Sequence, residues 1–128
     1  AGKVYNTWPL MGSSYFPDDS QFIEFLNVSV FDNPSIIQFI HRNLAYLICI
    51  FYIVILFKIY KNKIYDLYKS INLLGFFILL QIVLGIFTIL YGAHIIIASM
   101  HQISSIFLVT SSIYFFYINT ETNLQPSN

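Results

Sequence analysis

Residues 70–120 read SINLLGFFILLQIVLGIFTILYGAHIIIASMHQISSIFLVTSSIYFFYINT, 51 positions without a single Asp, Glu, Lys or Arg. As one continuous helix at 1.5 Å per residue the stretch would run roughly 75 Å, over twice the about 30 Å of a bilayer's hydrocarbon core. It therefore folds back once, and Tyr91-Gly92-Ala93-His94 is the only plausible turn within it. Two membrane spans follow from this reading, near residues 71–90 and 95–118.

On the N-terminal side of that stretch, residues 58–69 carry Lys58, Lys61, Lys63 and Lys69 against Asp66 alone. Before them a further apolar run gives a span over about 35–57. Asn33-Pro34 starts it sensibly, because proline is tolerated in the first helical turn. The fold class is thus all-α, a polytopic chain of three transmembrane helices within residues 35–118. Four of the six basic residues lie in the short loop between the first two spans, which by the positive-inside rule faces the cytoplasm or matrix. Residues 1–34 then form an outward-facing loop, and residues 119–128 an inner-facing tail.

Composition agrees. Of 128 residues 57% are hydrophobic and 19% aromatic, with only 9% charged against about 25% in an ordinary soluble domain. Mean hydropathy is +0.69. That much apolar surface needs the lipid bilayer as a partner. Six basic residues balance six acidic ones, so there is no net basic field to hold nucleic acid. Cys49 is the single cysteine and reads as a small buried hydrophobe, with neither a disulfide framework nor a CxxC motif. The chain starts at Ala1 with no charged n-region and h-region after it, which reads as no signal peptide and as a segment of a longer protein.

Within residues 1–34, Pro9, Gly12 and Pro17 mark turns. Asp18, Asp19 and Ser20 are placed to cap a short interfacial helix over 21–26, whose Phe22, Ile23, Phe25 and Leu26 suit a membrane surface. A solvated loop with a hydrophobic anchor fits the same residues.

Ionisable side chains inside a membrane are costly, so each is a functional candidate. His41 lies seven residues after Pro34, and His101 seven residues after His94. Both spans run in the same direction, which sets both imidazoles at a depth of roughly 10 Å. Two imidazoles at matched depth on neighbouring helices can ligate a haem iron from opposite faces. The same pair can also hold another metal, or serve as hydrogen-bonded packing residues. Arg42 is about 100° around the helix from His41, and its long stem reaches either a haem propionate or lipid headgroups. Gln38, one turn before His41, and Gln102, directly after His101, can orient an imidazole or a propionate, or glue helices together. Gln81 and Gly85 share one face of the second span and suggest close packing, and Ala98, Ser104, Ser105, Ser111 and Ser112 give the third span small surfaces. His94 reads as a solvated turn residue. The spans hold no Asp or Glu, and no nucleophile stands paired with a base, so no catalytic residue is assigned here.

Three stretches carry a resemblance to a known family. They are Ala1-Gly-Lys-Val-Tyr-Asn-Thr-Trp-Pro-Leu-Met-Gly12; Asn33-Pro34 with Gln38-Phe39-Ile40-His41-Arg42; and Gln81-Ile-Val-Leu-Gly-Ile-Phe-Thr88 followed by Ala98-Ser-Met-His101-Gln102. Together they resemble the C-terminal half of haem A synthase, with Trp8 where phenylalanine is usual, over residues 1 to about 117. The resemblance implies eight spans in two four-helix halves, each with a histidine pair. It implies that His41 and His101 ligate a b-type haem within such a bundle. Haem O, the substrate, would occupy the N-terminal half, where its C8 methyl is hydroxylated twice and loses water to give the formyl of haem A. That half and the span preceding residue 1 would then be partners of this chain. So would an electron donor that the sequence does not specify, and haem O synthase is a candidate partner. The implied location is a bacterial cytoplasmic membrane or the mitochondrial inner membrane. Two departures stand out: residues 1–35 lack the cysteine pair of some members, and the turn at Gly92 lacks the usual prolines. Rival readings are a bis-histidine cytochrome b subunit that only carries electrons, and a structural or transporter fragment.

Overall fold

The computed structural model describes residues 5–21, 23 and 32–124, the last two of these by backbone only. Three helices dominate it: α1 over Pro34–Lys61, α2 over Tyr68–Leu90 and α3 over Ile95–Leu124. A 3-10 turn over Tyr65–Leu67 leads into α2. There is no strand among the described residues. All three helices are long and apolar enough to cross a membrane; the shortest, α2 with 23 residues, spans about 35 Å.

Local chemistry explains where the helices begin and end. The Asn33 side chain accepts a hydrogen bond from the Ser35 N–H at 3.0 Å, and Pro34 takes the first helical position, where its missing N–H costs nothing. At the other end of α1 the Lys63 N–H donates to the Tyr60 carbonyl at 3.2 Å and the Ile64 N–H to the Ile59 carbonyl at 3.1 Å. That pair of bonds is a Schellman cap, with Lys63 in the left-handed region at φ 54°. Lys58 and Lys61 in the last turn suit the negative end of the helix dipole, so α1 runs one turn beyond residue 57.

The turn at Tyr91–His94 is a second Schellman cap. Gly92 donates to Ile89 at 3.0 Å and Ala93 to Thr88 at 2.7 Å, with Gly92 at φ 62° and Ala93 at φ 57°. Glycine tolerates that backbone at no steric cost, which is why the chain reverses here without proline. At the far end α3 continues through the polar residues 119–123 to Leu124, so the segment expected as a tail begins as helix. The Thr120 and Thr122 hydroxyls bond carbonyls one turn back, at 3.0 and 2.9 Å.

α2 and α3 pack along their length. The Ser104 hydroxyl donates to the Gln81 side-chain oxygen across the interface, and Ser104 and Ser111 are buried. α1 behaves differently. No Cα of α1 lies within 8 Å of one in α3, and α1 meets α2 over a short stretch only. That stretch is at the lysine end, where Ile59, Leu67 and Ile71 are buried beneath Tyr52, Leu56, Phe115 and Ile118. Gly75 leaves room for Tyr52 there, since a Cβ at position 75 would overlap the tyrosine ring. Outward from this cluster the helices carry exposed Ile, Leu and Phe, as a lipid-facing surface requires.

Of the short helix expected over 21–26, only Gln21 and Ile23 are among the described residues. The side chains expected to cap it have other partners. Asp18 accepts from the Ser13 N–H at 2.8 Å and from the Ser13 and Ser14 hydroxyls at 3.0 and 3.1 Å. Asp19 accepts from Ser35 at 2.7 Å and from the Tyr5 hydroxyl at 2.9 Å. Bonds from Ser13 hold the Asp18 carboxyl below its ordinary pKa, and the Ser35 hydroxyl does the same for Asp19. The loop is thereby tied to itself and to the first turn of α1.

Candidate functional site

His41 and His101 face each other across the space between α1 and α3. Their ring centroids are 6.4 Å apart and their planes 82° apart. His41 is exposed and His101 half-buried. The His101 Nδ1 is shielded from solvent and has no hydrogen-bond partner among the described residues. Leaving such an atom unpaired costs about 1–3 kcal/mol, so it is a position where a ligand or a further donor or acceptor is wanted. Against the ring stands Gly85 of α2: a Cβ built there would lie 3.2 Å from the His101 Cε1. The close packing expected at Gln81 and Gly85 thus consists of a hydrogen bond to Ser104 and a bare backbone that admits the imidazole.

Helical geometry assigns the other residues around His41. At about 100° per residue, Gln38 and Arg42 share one face, Phe39 and Asn43 the next, and His41 lies about 60° from Gln38 on the side away from Phe39 and Asn43. The loop over residues 5–17 covers those two faces. The Gln38 side chain donates to the Tyr5 carbonyl at 2.9 Å and accepts from the Tyr5 N–H at 3.2 Å. Tyr15 and Phe16 pack edge-on against Phe39 at 5.5 and 5.2 Å, and the Tyr15 hydroxyl reaches the Asn43 side-chain oxygen at 2.5 Å.

Arg42 is buried, at 6% exposure. Its guanidinium donates to the carbonyls of Thr7 at 2.9 Å and Leu10 at 3.2 Å, with longer contacts to Pro9 at 3.4 Å and Tyr5 at 3.5 Å. The stem leans toward the N-terminus of α1, as helix side chains do, and so carries the charge to the loop end of the bundle. Loop carbonyls, rather than headgroups, receive it. Gln102 is exposed and its side chain makes no hydrogen bond among the described residues. His94 is exposed in the turn, where its carbonyl accepts the first helical bond of α3 from Ala98 at 2.9 Å.

The donor set limits what the histidine pair can hold. Among the described residues no group of three or more His, Cys, Asp or Glu side chains comes together. A bare zinc ion takes four ligands, and two imidazoles alone do not make that shell. A haem iron brings four nitrogens of its own and asks the protein for axial ligands only. His41 and His101, with rings 6.4 Å apart, are the side chains of this chain that would hold such a group. The residues present therefore suit a bis-histidine haem.

The chain matches one family of known proteins over most of its length. The family model described as cytochrome oxidase assembly protein, COX15-CtaA, matches residues 1–113. Among curated relatives, a "Heme A synthase" of Pelagibacter ubique is 44% identical over 119 residues, covering 93% of this chain and 35% of that protein. A "Heme A synthase" of Flavobacterium johnsoniae is 37% identical over 89% of the chain and 34% of its own length. One of Wolbachia pipientis is 36% identical over 95% of the chain and 33% of its own length. The chain thus spans about a third of the length of the curated relatives it matches. No solved structure matches it. With three spanning helices and a family model that covers all but its last residues, the chain is a multi-pass membrane protein that belongs to the haem A synthase family of cytochrome oxidase assembly proteins.

Proposed function

We propose that this chain is the C-terminal, haem-b-binding part of a haem A synthase, with His41 and His101 as the axial ligands. The observation that carries the reading is the ring pair, 6.4 Å apart between two helices whose backbones do not touch. Haem iron held there would supply one-electron chemistry or a structural centre. The protein's part is to fix the two imidazoles, to leave space at Gly85, and to close the loop end with residues 5–17. The oxidation itself, from the C8 methyl of haem O to the formyl of haem A, is assigned to the remainder of the protein, because no carboxylate or paired nucleophile lies in these spans. On its own this chain would be inactive. Family membership supports this reading over a cytochrome b subunit that only carries electrons.

Pigment extraction from the full-length parent distinguishes the two. The synthase reading expects haem O or haem A alongside haem b, whereas haem b alone would refute it.

The same proposal places the lysine loop in the cytoplasm or matrix and the His pair toward the opposite face, with haem O synthase and an electron donor as partners. Lys63 sits at the tip of that loop and is exposed. In sealed inside-out vesicles, Lys63→Cys in the full-length parent is expected to react with a membrane-impermeant maleimide; in right-side-out vesicles it should not. The reverse pattern would invert the topology.

A further inference from the structure

Between its lysine-end cluster and its first turn, the backbone of α1 stands apart from that of α3, the two approaching through the His41 and His101 side chains, and the buried cluster that joins α1 to α2 lies at the lysine end. What holds the other end is the loop. Gln38 and Arg42 grip the backbone from Tyr5 to Leu10, and Asp19 ties the same loop to Ser35. The loop also reaches the far side of the gap: the Asn6 side-chain nitrogen lies 3.4 Å from where a Cβ at Gly92 would stand, in the turn that starts α3. Residues 5–10 therefore bridge the N-terminal ends of α1 and α3, directly above the space that the two imidazoles share. Met11 and Pro17 are buried within the loop, and Gly12, at φ 84°, turns it tightly where any Cβ would strike the Asp18 carboxylate. A segment with its own small core and a rigid turn is a strut rather than a tether.

We propose that Arg42 and Gln38 are positioning residues, which clasp loop 5–10 so that it sets the separation of α1 from α3 and thereby places His41 opposite His101. A guanidinium is suited to the task, because its planar fork offers five donors in fixed directions and keeps its charge under all conditions. Lysine offers a single ammonium and cannot reach carbonyls on both sides of the loop. In this arrangement Arg42 acts on the site through the loop, not by touching what the site holds. The inference goes beyond the haem reading and rests on helix geometry alone.

The test uses the full-length parent in nanodiscs, with Cys49→Ala and no other cysteine, and spin labels at Ile37→Cys and Ile96→Cys. Both positions are exposed, near the N-terminal ends of α1 and α3. With Arg42 intact a single narrow distance is expected. Arg42→Gln is expected to broaden the distribution at least about twofold and to raise amide exchange across residues 5–12 by about tenfold or more. Arg42→Lys should fall between the two, a graded rescue that loss of generic packing would not give. Should Arg42→Gln not fold, Gln38→Leu carries the test, since it removes both bonds to Tyr5 without removing a charge. A distance that stays narrow while loop exchange rises overturns the proposal, as does loop exchange that does not change. Neither measurement needs bound haem, so a failure here is separable from a failure of the haem reading, which pigment analysis and spectra decide.

Discussion

His41→Ala and His101→Ala in the full-length parent are each expected to abolish the low-spin b-type signal in a reduced-minus-oxidised spectrum taken in detergent. A low-spin bis-imidazole iron needs both axial nitrogens, so losing either one removes the signature, not a fraction of it. The two substitutions should differ in what else they do. His41 is exposed and makes no hydrogen bond among the described residues, so its truncation should change stability by no more than about 0.5 kcal/mol. His101 is half-buried against Gly85 and leaves a small void beside α2 when truncated, for which a loss of about 1–2 kcal/mol is expected. Circular dichroism and detergent-resistance assays separate these costs from the spectral loss. Unchanged spectra in both variants would make the histidines packing residues and remove the ligand assignment, whatever the family.

Gly85→Leu is expected to match the histidine variants in spectral loss while keeping helix content. Even a bare Cβ at this position would come within 3.2 Å of the His101 ring. Leucine adds three more carbons on the same side, and the ring has to vacate its place. Helix propensity works the other way, since glycine is about 0.8–1.0 kcal/mol worse than alanine in a helix interior and leucine nearly as good as alanine. Against that gain stands an overpacking cost of about 1–3 kcal/mol in an interface that the Gln81–Ser104 bond holds closed one turn away. The net stability change should therefore be small, and the spectral change complete. Gly85→Ala is the graded control: the imidazole has to give only a few tenths of an ångström, so a shifted but present signal is expected. A normal spectrum for Gly85→Leu would mean that His101 adopts another position when haem is bound.

The three helices were legible because lipid imposes one strong rule. A span must be about twenty apolar residues of helix, and an uncharged run of 51 residues must break once. The pairing of His41 with His101 was legible for a related reason, since depth in a membrane can be counted along a helix from its capped end. The work of Arg42 and Gln38 was not. Their partners are carbonyls some 33 residues earlier in the chain, and no local pattern encodes a contact between a helix face and a distant loop's backbone. One signal was available: Gln38 and Arg42 stand four apart, so their side chains share a face. It marks a shared polar task without naming the partner. The partners of Asp18 and Asp19 were hidden in the same way: an acidic pair followed by serine reads as a candidate helix cap, and nothing in that pattern announces the hydroxyls of Ser13 and Ser35 that donate to it. The divergence of α1 from α3 was equally hidden, because hydropathy says that a helix lies in lipid but not which neighbours it touches.

Arg42 grips main-chain oxygens, and every residue type presents the same oxygen. The clasp is therefore indifferent to much of what is written between Tyr5 and Leu10. Tyr5, Asn6 and Thr7 hold the loop through their own side chains, but the exposed Trp8 and Leu10 are free to drift so long as the backbone path survives. The burden of constancy shifts onto the helix. A change at position 38 or 42 disturbs several loop residues together, whereas a change at Trp8 or Leu10 disturbs little beyond itself. Tolerance to mutation should accordingly be lopsided across this contact: broad at Trp8 and Leu10, narrow at Gln38 and Arg42.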